Sequence, residues 1–465
     1  MRILRAALFS IPLLYCVVAP PPAEADPAVA PSLKADKIRL PNGLEVVFDE
    51  DHRTPIVTVN LWYHVGSKDE PAGRNGFAHL FEHVMFQGSR HVPEDTYFRD
   101  LEKAGATSIN GTTNSDRTNY FETVPANQLE LALWLESDRM AYLLDHADEK
   151  TFESQREVVK NERRQNYENA PYGLVLQYLH AELFPKGHPY HLLTIGTPED
   201  LDAAKIEDVR AFFRQYYVPN NCTLVLSGDF DRKKAEALVT QYFGPIVRGK
   251  DVTPKKPSVV THPGETRLDI EAGVELPRVY VTWPSAPYFQ AGDGELDLVA
   301  HVLAGGKTSR LYKRLVYDLQ IAQSVSASQD SSQLASVFEI VATARNGHTG
   351  DEMLKVIDEE LDKLRKEGIK DDELSRAKTT ILADNVFDLE RSSSRGNRLN
   401  TYNHYVGDPN WLGHDIARYS GATATAVSDV ARTYLKEHDR VVAVVSIKKD
   451  APIAGRIVKT TGGGK

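Results

Sequence analysis

Apolar and polar residues alternate along 57–65. Val57, Val59, Leu61, Tyr63 and Val65 share one side, which is the period of a strand with one buried face. Upstream, the turn Pro41-Asn42-Gly43 joins short runs at 38–40 and 44–48 and reads as a hairpin. Farther along, IEDVRAFFRQYY (206–217) has the spacing of a helix, and CTLVLSG (222–228) reads as a buried strand.

The same order then recurs. Val279, Val281 and Trp283 alternate, DLVAHVLAGG (297–306) is helix-like, and VSDVARTYLKEH (427–438) precedes VVAVVSI (441–447). Asp208 corresponds to Asp429 and His83 to His301, a steady offset of about 220 residues that indicates a duplicated domain. The join at 244–265 is rich in Gly, Pro and Lys, as suits an exposed linker. Strands and helices do not alternate strictly. The predicted fold class is therefore α+β, two homologous domains, each a largely antiparallel sheet with helices packed on one face. The predicted division is a signal peptide at 1–25, a first domain at 26–243, the linker, and a second domain at 266–465.

The leader is read from Arg2 and Arg5, the apolar stretch at 6–18 and the small-x-small site Ala23-Glu24-Ala25. The stretch is too short to span a bilayer comfortably, and Tyr15 is too bulky beside Cys16 for a lipidation site, so no stable membrane anchor is expected. Export across the inner membrane to the periplasm is. After cleavage only Cys222 remains, which excludes an internal disulfide and a cysteine-based metal site. A net charge of −10 leaves no broad basic footprint for nucleic acid.

Against this background HLFEH, at 79–83, stands out. On a helix His79, Glu82 and His83 converge on one face, flanked by Phe77, Leu80, Phe81, Val84 and Met85. Two neutral imidazoles one turn apart can hold one Zn²⁺, and the glutamate between them can polarise a water without being a ligand. The bland alternative is a pair of satisfied core histidines. Catalytic zinc usually takes a third protein ligand, and FESQREVVKNERRQ offers three glutamates. Phe152, Gln155, Val159 and Glu162 recur at helical spacing with Val158 beside them, which turns Glu162 inward, whereas Glu157 pairs with Lys160 and Arg164 on the solvated side.

On these residues the chain resembles the inverted-zincin peptidases related to pitrilysin, insulin-degrading enzyme and the mitochondrial processing peptidase. His79, Glu82, His83 and Glu162 match that family's motif in order, and the glycines at 73 and 76, QGS at 87–89 and HPYH at 188–191 add to the likeness. The resemblance implies a zinc endopeptidase working in an enclosed chamber, with one Zn²⁺ per chain on His79, His83 and Glu162 and with Glu82 as general base. The length matches the branch built of separate subunits. Two departures matter. Gln155 stands where many relatives carry an acid that supports the metal site, which makes it the candidate outer-shell residue. In the second half Asp297, Ala300 and His301 replace the zinc motif, so that half cannot build the same site.

ATSINGTTNSDRTNYFETVP (106–125) reads as a strand and return strand, and its likeness to the family's substrate-facing edge makes Asn110, Gly111 and Thr112 candidate substrate-binding residues. An ordinary hairpin is the competing reading. Gly306-Lys307-Thr308 looks like part of a phosphate loop, but His301 stands where its first glycine belongs. His188 and His191 are read as loop packing. Active relatives also carry an arginine and a tyrosine about seven residues apart in the second half. Here Tyr317 lies near the arginine place and Gln323 stands where the tyrosine is expected, while Ile321 lies seven beyond Arg314. A homologous partner subunit supplying that pair is therefore expected beside the peptide substrate, with a homodimer as the alternative. The competing functional class is a non-catalytic subunit or peptide-binding protein that has kept the fold.

Overall fold

A computed structural model describes residues 33–257 and 260–462, and the predicted leader lies outside them. The first sheet contains β1 (Asp36–Arg39), β2 (Glu45–Glu50), β3 (Ile56–Tyr63), β4 (Thr107–Thr113), β5 (Thr118–Pro125) and β6 (Cys222–Gly228), in the order β1-β2-β6-β3-β5-β4. The second contains β7 (Thr266–Ala272), β8 (Arg278–Ser285), β9 (Ala322–Asp330), β10 (Ser336–Ala344), β11 (Val441–Ile447) and β12 (Arg456–Gly462), in the order β12-β7-β11-β8-β10-β9. Only β2 with β6 and β7 with β11 run parallel. Matching the two orders makes β4 and β9 equivalent edges. At the opposite edge, however, β1 comes from before the repeat and β12 from after it. Among the described residues between Phe243 and Thr266 there is no helix or strand.

On its own side each sheet carries the helices of its own half. Val57, Val59, Leu61 and Tyr63 of β3 face a core shared with Phe77, Leu80, Phe81, Phe212 and Phe213. The alternation predicts that the other face of β3 meets solvent, yet Thr58, Asn60 and Trp62 are also buried. A helix of the second half, Ser392–Val406, lies across them: Thr58 Oγ1 meets Ser392 Oγ at 2.9 Å, and Asn400 Nδ2 donates to Asn60 O at 3.0 Å. The exchange is reciprocal. Val175, Leu179 and Leu183, on the first half's helix Val175–Leu183, pack on Leu268, Ile270, Val441, Ala443 and Val445 of the second sheet. The strand at 222–228 is buried throughout and that at 441–447 over 441–445, because both faces of each sheet are covered.

Candidate metal centre

The HLFEH motif lies on the helix Phe77–Val84. Its start is set by Gly76, whose φ of 98° is left-handed and whose hydrogen faces Gly196 Cα; a Cβ there would come within 2.8 Å of that atom. Glu70 secures the first turn. Its Oε1 accepts the Ala78 amide at 2.9 Å, and its Oε2 accepts the Gly76 amide at 3.0 Å and Asn75 Nδ2 at 3.1 Å. Burial pushes the Glu70 carboxyl up to about 8, against the pull of those three donors. Nothing local signals this role, because Glu70 lies outside the three-residue reach of a capping box.

Phe77, Leu80, Phe81 and Val84 bury the inner stripe, which turns His79, Glu82 and His83 toward the helix Glu149–Arg163. That helix ends in a π-helical turn, 164–168, of the kind that often marks functional sites. Arg163 anchors the end from within, donating to Gly196 O and Gln177 Oε1, each at 2.7 Å. Glu162 then projects to the motif. His83 Nε2 stands 3.3 Å and His79 Nε2 3.6 Å from Glu162 Oε2. Among the described residues this is the one group of three or more His, Cys, Asp or Glu whose ligand atoms converge, all within 4.8 Å.

The two distances to Glu162 are close to those between ligands of a tetrahedral ion. Donors about 2.0–2.1 Å from zinc stand roughly 3.3–3.4 Å apart, and two imidazoles with one carboxylate leave the fourth position open. Burial, reinforced by His83, lowers His79 to about 4, so it is a neutral donor. The His83 contact chiefly lowers the Glu162 carboxyl, keeping it anionic. Burial raises the carboxyl of Glu82, which faces the cluster without joining it, while Thr113 and His83 oppose the rise. Thr113 Oγ1 donates to Glu82 Oε2 at 2.6 Å.

Gln155 is half-buried on the same helix as Glu162, yet His79 Nδ1 is buried without a hydrogen-bond partner. Metal-binding histidines usually have an acceptor there. Val158, expected on the inward stripe, is instead 42% exposed one turn before Glu162. Glu157 pairs with Lys160 at 3.0 Å on the outer side.

β4 is an edge strand, paired only with β5. Gly111 crosses directly over Glu82, and a Cβ there would lie 2.9 Å from Glu82 Cγ and 3.1 Å from the Phe86 ring. Asn110 is exposed, and its Oδ1 accepts the Gly111 amide at 2.9 Å. The Thr112 hydroxyl donates to Asn119 Oδ1 at 2.5 Å, on the opposite face from Thr113.

No comparable cluster forms in the second half among the described residues. Asp297, at the position of His79, accepts the Tyr419 hydroxyl at 2.8 Å and is pushed up to about 7 by burial, while His301 Nδ1 turns back to Asp297 O. Arg314 is bound to Glu359 and Glu360 at 2.6 and 2.7 Å. Tyr317 is 73% exposed, and Gln323 is exposed on β9. In HPYH, His191 Nδ1 meets Phe184 O at 2.7 Å and His188 stacks on Phe184, whereas Tyr190 is buried.

Two family models match the chain: insulinase (peptidase family M16) over residues 45–195, and the peptidase M16 inactive domain over 203–381. The zinc protease PqqE of Helicobacter pylori is 28% identical over 367 residues, 77% of this chain and 81% of that protein. The crystal structure of a protease from Helicobacter pylori superimposes with a TM-score of 0.83 at 25% identity, covering 89% of this chain and all of that one. The periplasmic protease PqqL from Escherichia coli shares the fold, with a TM-score of 0.75 at 18% identity, and this chain spans 48% of it.

Proposed function

Because the chain belongs to the insulinase family of peptidases, family M16, we propose that it is a zinc-dependent endopeptidase whose site lies in the first domain, 26–243. The observation that carries this reading is the convergence of His79, His83 and Glu162 with Glu82 beside them. His79 and His83 would hold zinc through Nε2 and Glu162 through Oε2. A bound zinc supplies Lewis acidity, lowering the pKa of a water and polarising the scissile carbonyl. Glu82 accepts the proton of the attacking water and returns it to the leaving amine nitrogen. Thr113 holds Oε2, leaving Oε1 to carry that proton. The free edge of β4 takes the substrate as an added strand through main-chain hydrogen bonds, with Gly111 keeping the backbone close to Glu82. The second domain, 266–465, contributes fold and chamber wall but no metal ligand.

The partner follows from what Arg314 and Tyr317 do. Arg314 is committed to two glutamates, and Ile321 and Gln323 offer no phenol, so this stretch of the second half lacks the arginine–tyrosine pair that would stabilise a developing oxyanion. A homologous subunit supplying that pair would complete the chamber in a heterodimer. The predicted leader and the periplasmic PqqL relative support a periplasmic site. The "inactive domain" match favours the second reading, a fold-retaining non-catalytic subunit. That match covers 203–381, however, and leaves the motif outside it.

The test is zinc content and peptide hydrolysis of the purified mature chain, alone and with any co-purifying homologue. Stoichiometric zinc with turnover that rises when the homologue is added is expected. No zinc and no turnover in either state would leave the non-catalytic reading, and high turnover by the chain alone would remove the partner.

A further inference from the structure

The turn joining β4 to β5 carries Asp116, which is 1% exposed and belongs to no ion pair among the described residues. A buried carboxylate is costly unless its oxygens are satisfied. Here both are. Oδ1 accepts the Tyr190 hydroxyl at 2.5 Å, and Oδ2 accepts the Gln333 amide at 2.8 Å and the Tyr405 hydroxyl at 3.2 Å. Tyr190 also accepts the Leu334 amide at 3.0 Å. Gln333 and Leu334 lie between β9 and β10, and Tyr405 is on the exchanged helix, so three of these four groups belong to the second half.

From the first half the same turn is held by Lys68, whose amide donates to Ser115 O at 2.9 Å and whose Nζ donates to Asp116 O at 2.7 Å. Gly66 lets the chain pass beneath, since a Cβ there would lie 2.5 Å from Asn114 O. Three residues before Asp116, Thr113 holds Glu82. The hairpin is thus fastened at its tip to the second half and, at Thr113, to the glutamate.

We propose that Asp116 is a positioning residue through which the second domain, having no metal cluster of its own, fixes the Thr113 hydroxyl on Glu82. The proposal rests on the peptidase reading for its kinetic consequence, but not for its structural one. Released from Tyr405 and Gln333, the turn would let β4 shift, and Glu82 would lose the donor that orients it while His79, His83 and Glu162 stay in place. A hydrogen bond to a charged group corresponds to roughly tenfold or more in rate.

The test uses the zinc-loaded full chain, with its partner if turnover requires one, as wild type and as Asp116→Asn, Tyr405→Phe, Thr113→Val, Thr113→Ser and Asp116→Asn/Thr113→Val. Asp116→Asn should keep stoichiometric zinc and lower kcat about tenfold with little change in KM. Thr113→Val should do the same and Thr113→Ser should restore the rate. The double variant should be no slower than Thr113→Val alone. Losses that multiply, or wild-type kcat in Asp116→Asn, would overturn the proposal. Hydrogen exchange across 107–113 needs no turnover. It should quicken in Asp116→Asn and Tyr405→Phe, and unchanged exchange would overturn the tether whatever the kinetics. If Asp116→Asn does not fold, Tyr405→Phe carries the same cycle. Loss of the peptidase reading has a separate signature, a zinc-loaded wild type that hydrolyses no peptide while exchange at 107–113 still responds to Tyr405→Phe.

Discussion

His64 of the first half and His404 of the second meet Nδ1 to Nδ1 at 2.8 Å. Such a contact holds a single proton between two nitrogens, so the two rings cannot both be cationic. His64 Nε2 reaches Thr223 Oγ1 at 2.9 Å, and His404 packs edge-on against Trp62. Burial lowers both imidazoles, His64 to about 4. The unfolded chain binds protons near 6.5 that the native pair refuses. Stability from this contact is therefore complete above about pH 6.5 and is lost as pH falls toward 4, by at most about 3 kcal/mol for His64. Urea unfolding at pH 7.5 and 4.5 should show the loss, and His404→Phe should be less stable at pH 7.5 with a shallower pH dependence.

Glu82→Gln should bind zinc as the wild type does and lose hydrolysis by about 10²–10⁴-fold, because an amide cannot take up the proton. His83→Ala should lose both properties. Metal analysis alongside a peptide assay separates the two, and full activity in Glu82→Gln would remove it as the base.

Glu162→Gln should weaken zinc binding by more than the roughly 10–100-fold that outer-sphere changes cost, because it alters a donor itself. Glu157→Gln disturbs only an exposed pair with Lys160 and should leave affinity unchanged. Competition against a calibrated chelator ranks the two, and the opposite order would assign the wrong carboxylate.

A buried polar cluster beneath β5 makes a prediction about stability. Arg139 lies 4.1 Å over the Tyr120 ring and 4.6 Å over the Tyr97 ring, and its Nε donates to Glu136 Oε2 at 2.9 Å. Glu136→Gln leaves that buried cation uncompensated and should cost about 3–5 kcal/mol. Glu122, 3.3 Å from the Tyr97 hydroxyl, is raised well above the usual carboxylate range by burial and by Glu136. The native fold therefore disfavours its charged form, which the unfolded chain does not, so Glu122→Gln should leave stability at pH 7 unchanged or higher. Denaturant midpoints at pH 7 compare the two.

The HLFEH motif is legible in the sequence because its geometry is local. Residues 79, 82 and 83 share a face on any helix, and the stripe through Phe152, Val159 and Glu162 follows from the same period. The duplication and both antiparallel-rich sheets could be read from repeats and alternation. What supports the site could not be read this way. Thr58 and Asn60 look like a solvent face and are buried only because Ser392 and Asn400, more than 300 residues away in sequence, cover them. Glu70, Asp116, Tyr190 and Tyr405 carry no periodic signal, since each acts through one hydrogen bond or a few to backbone or side chains from another element. Chain periodicity determines which residues share a face. Which distant element comes to cover that face is decided only when the two halves exchange helices and their buried polar groups must find partners.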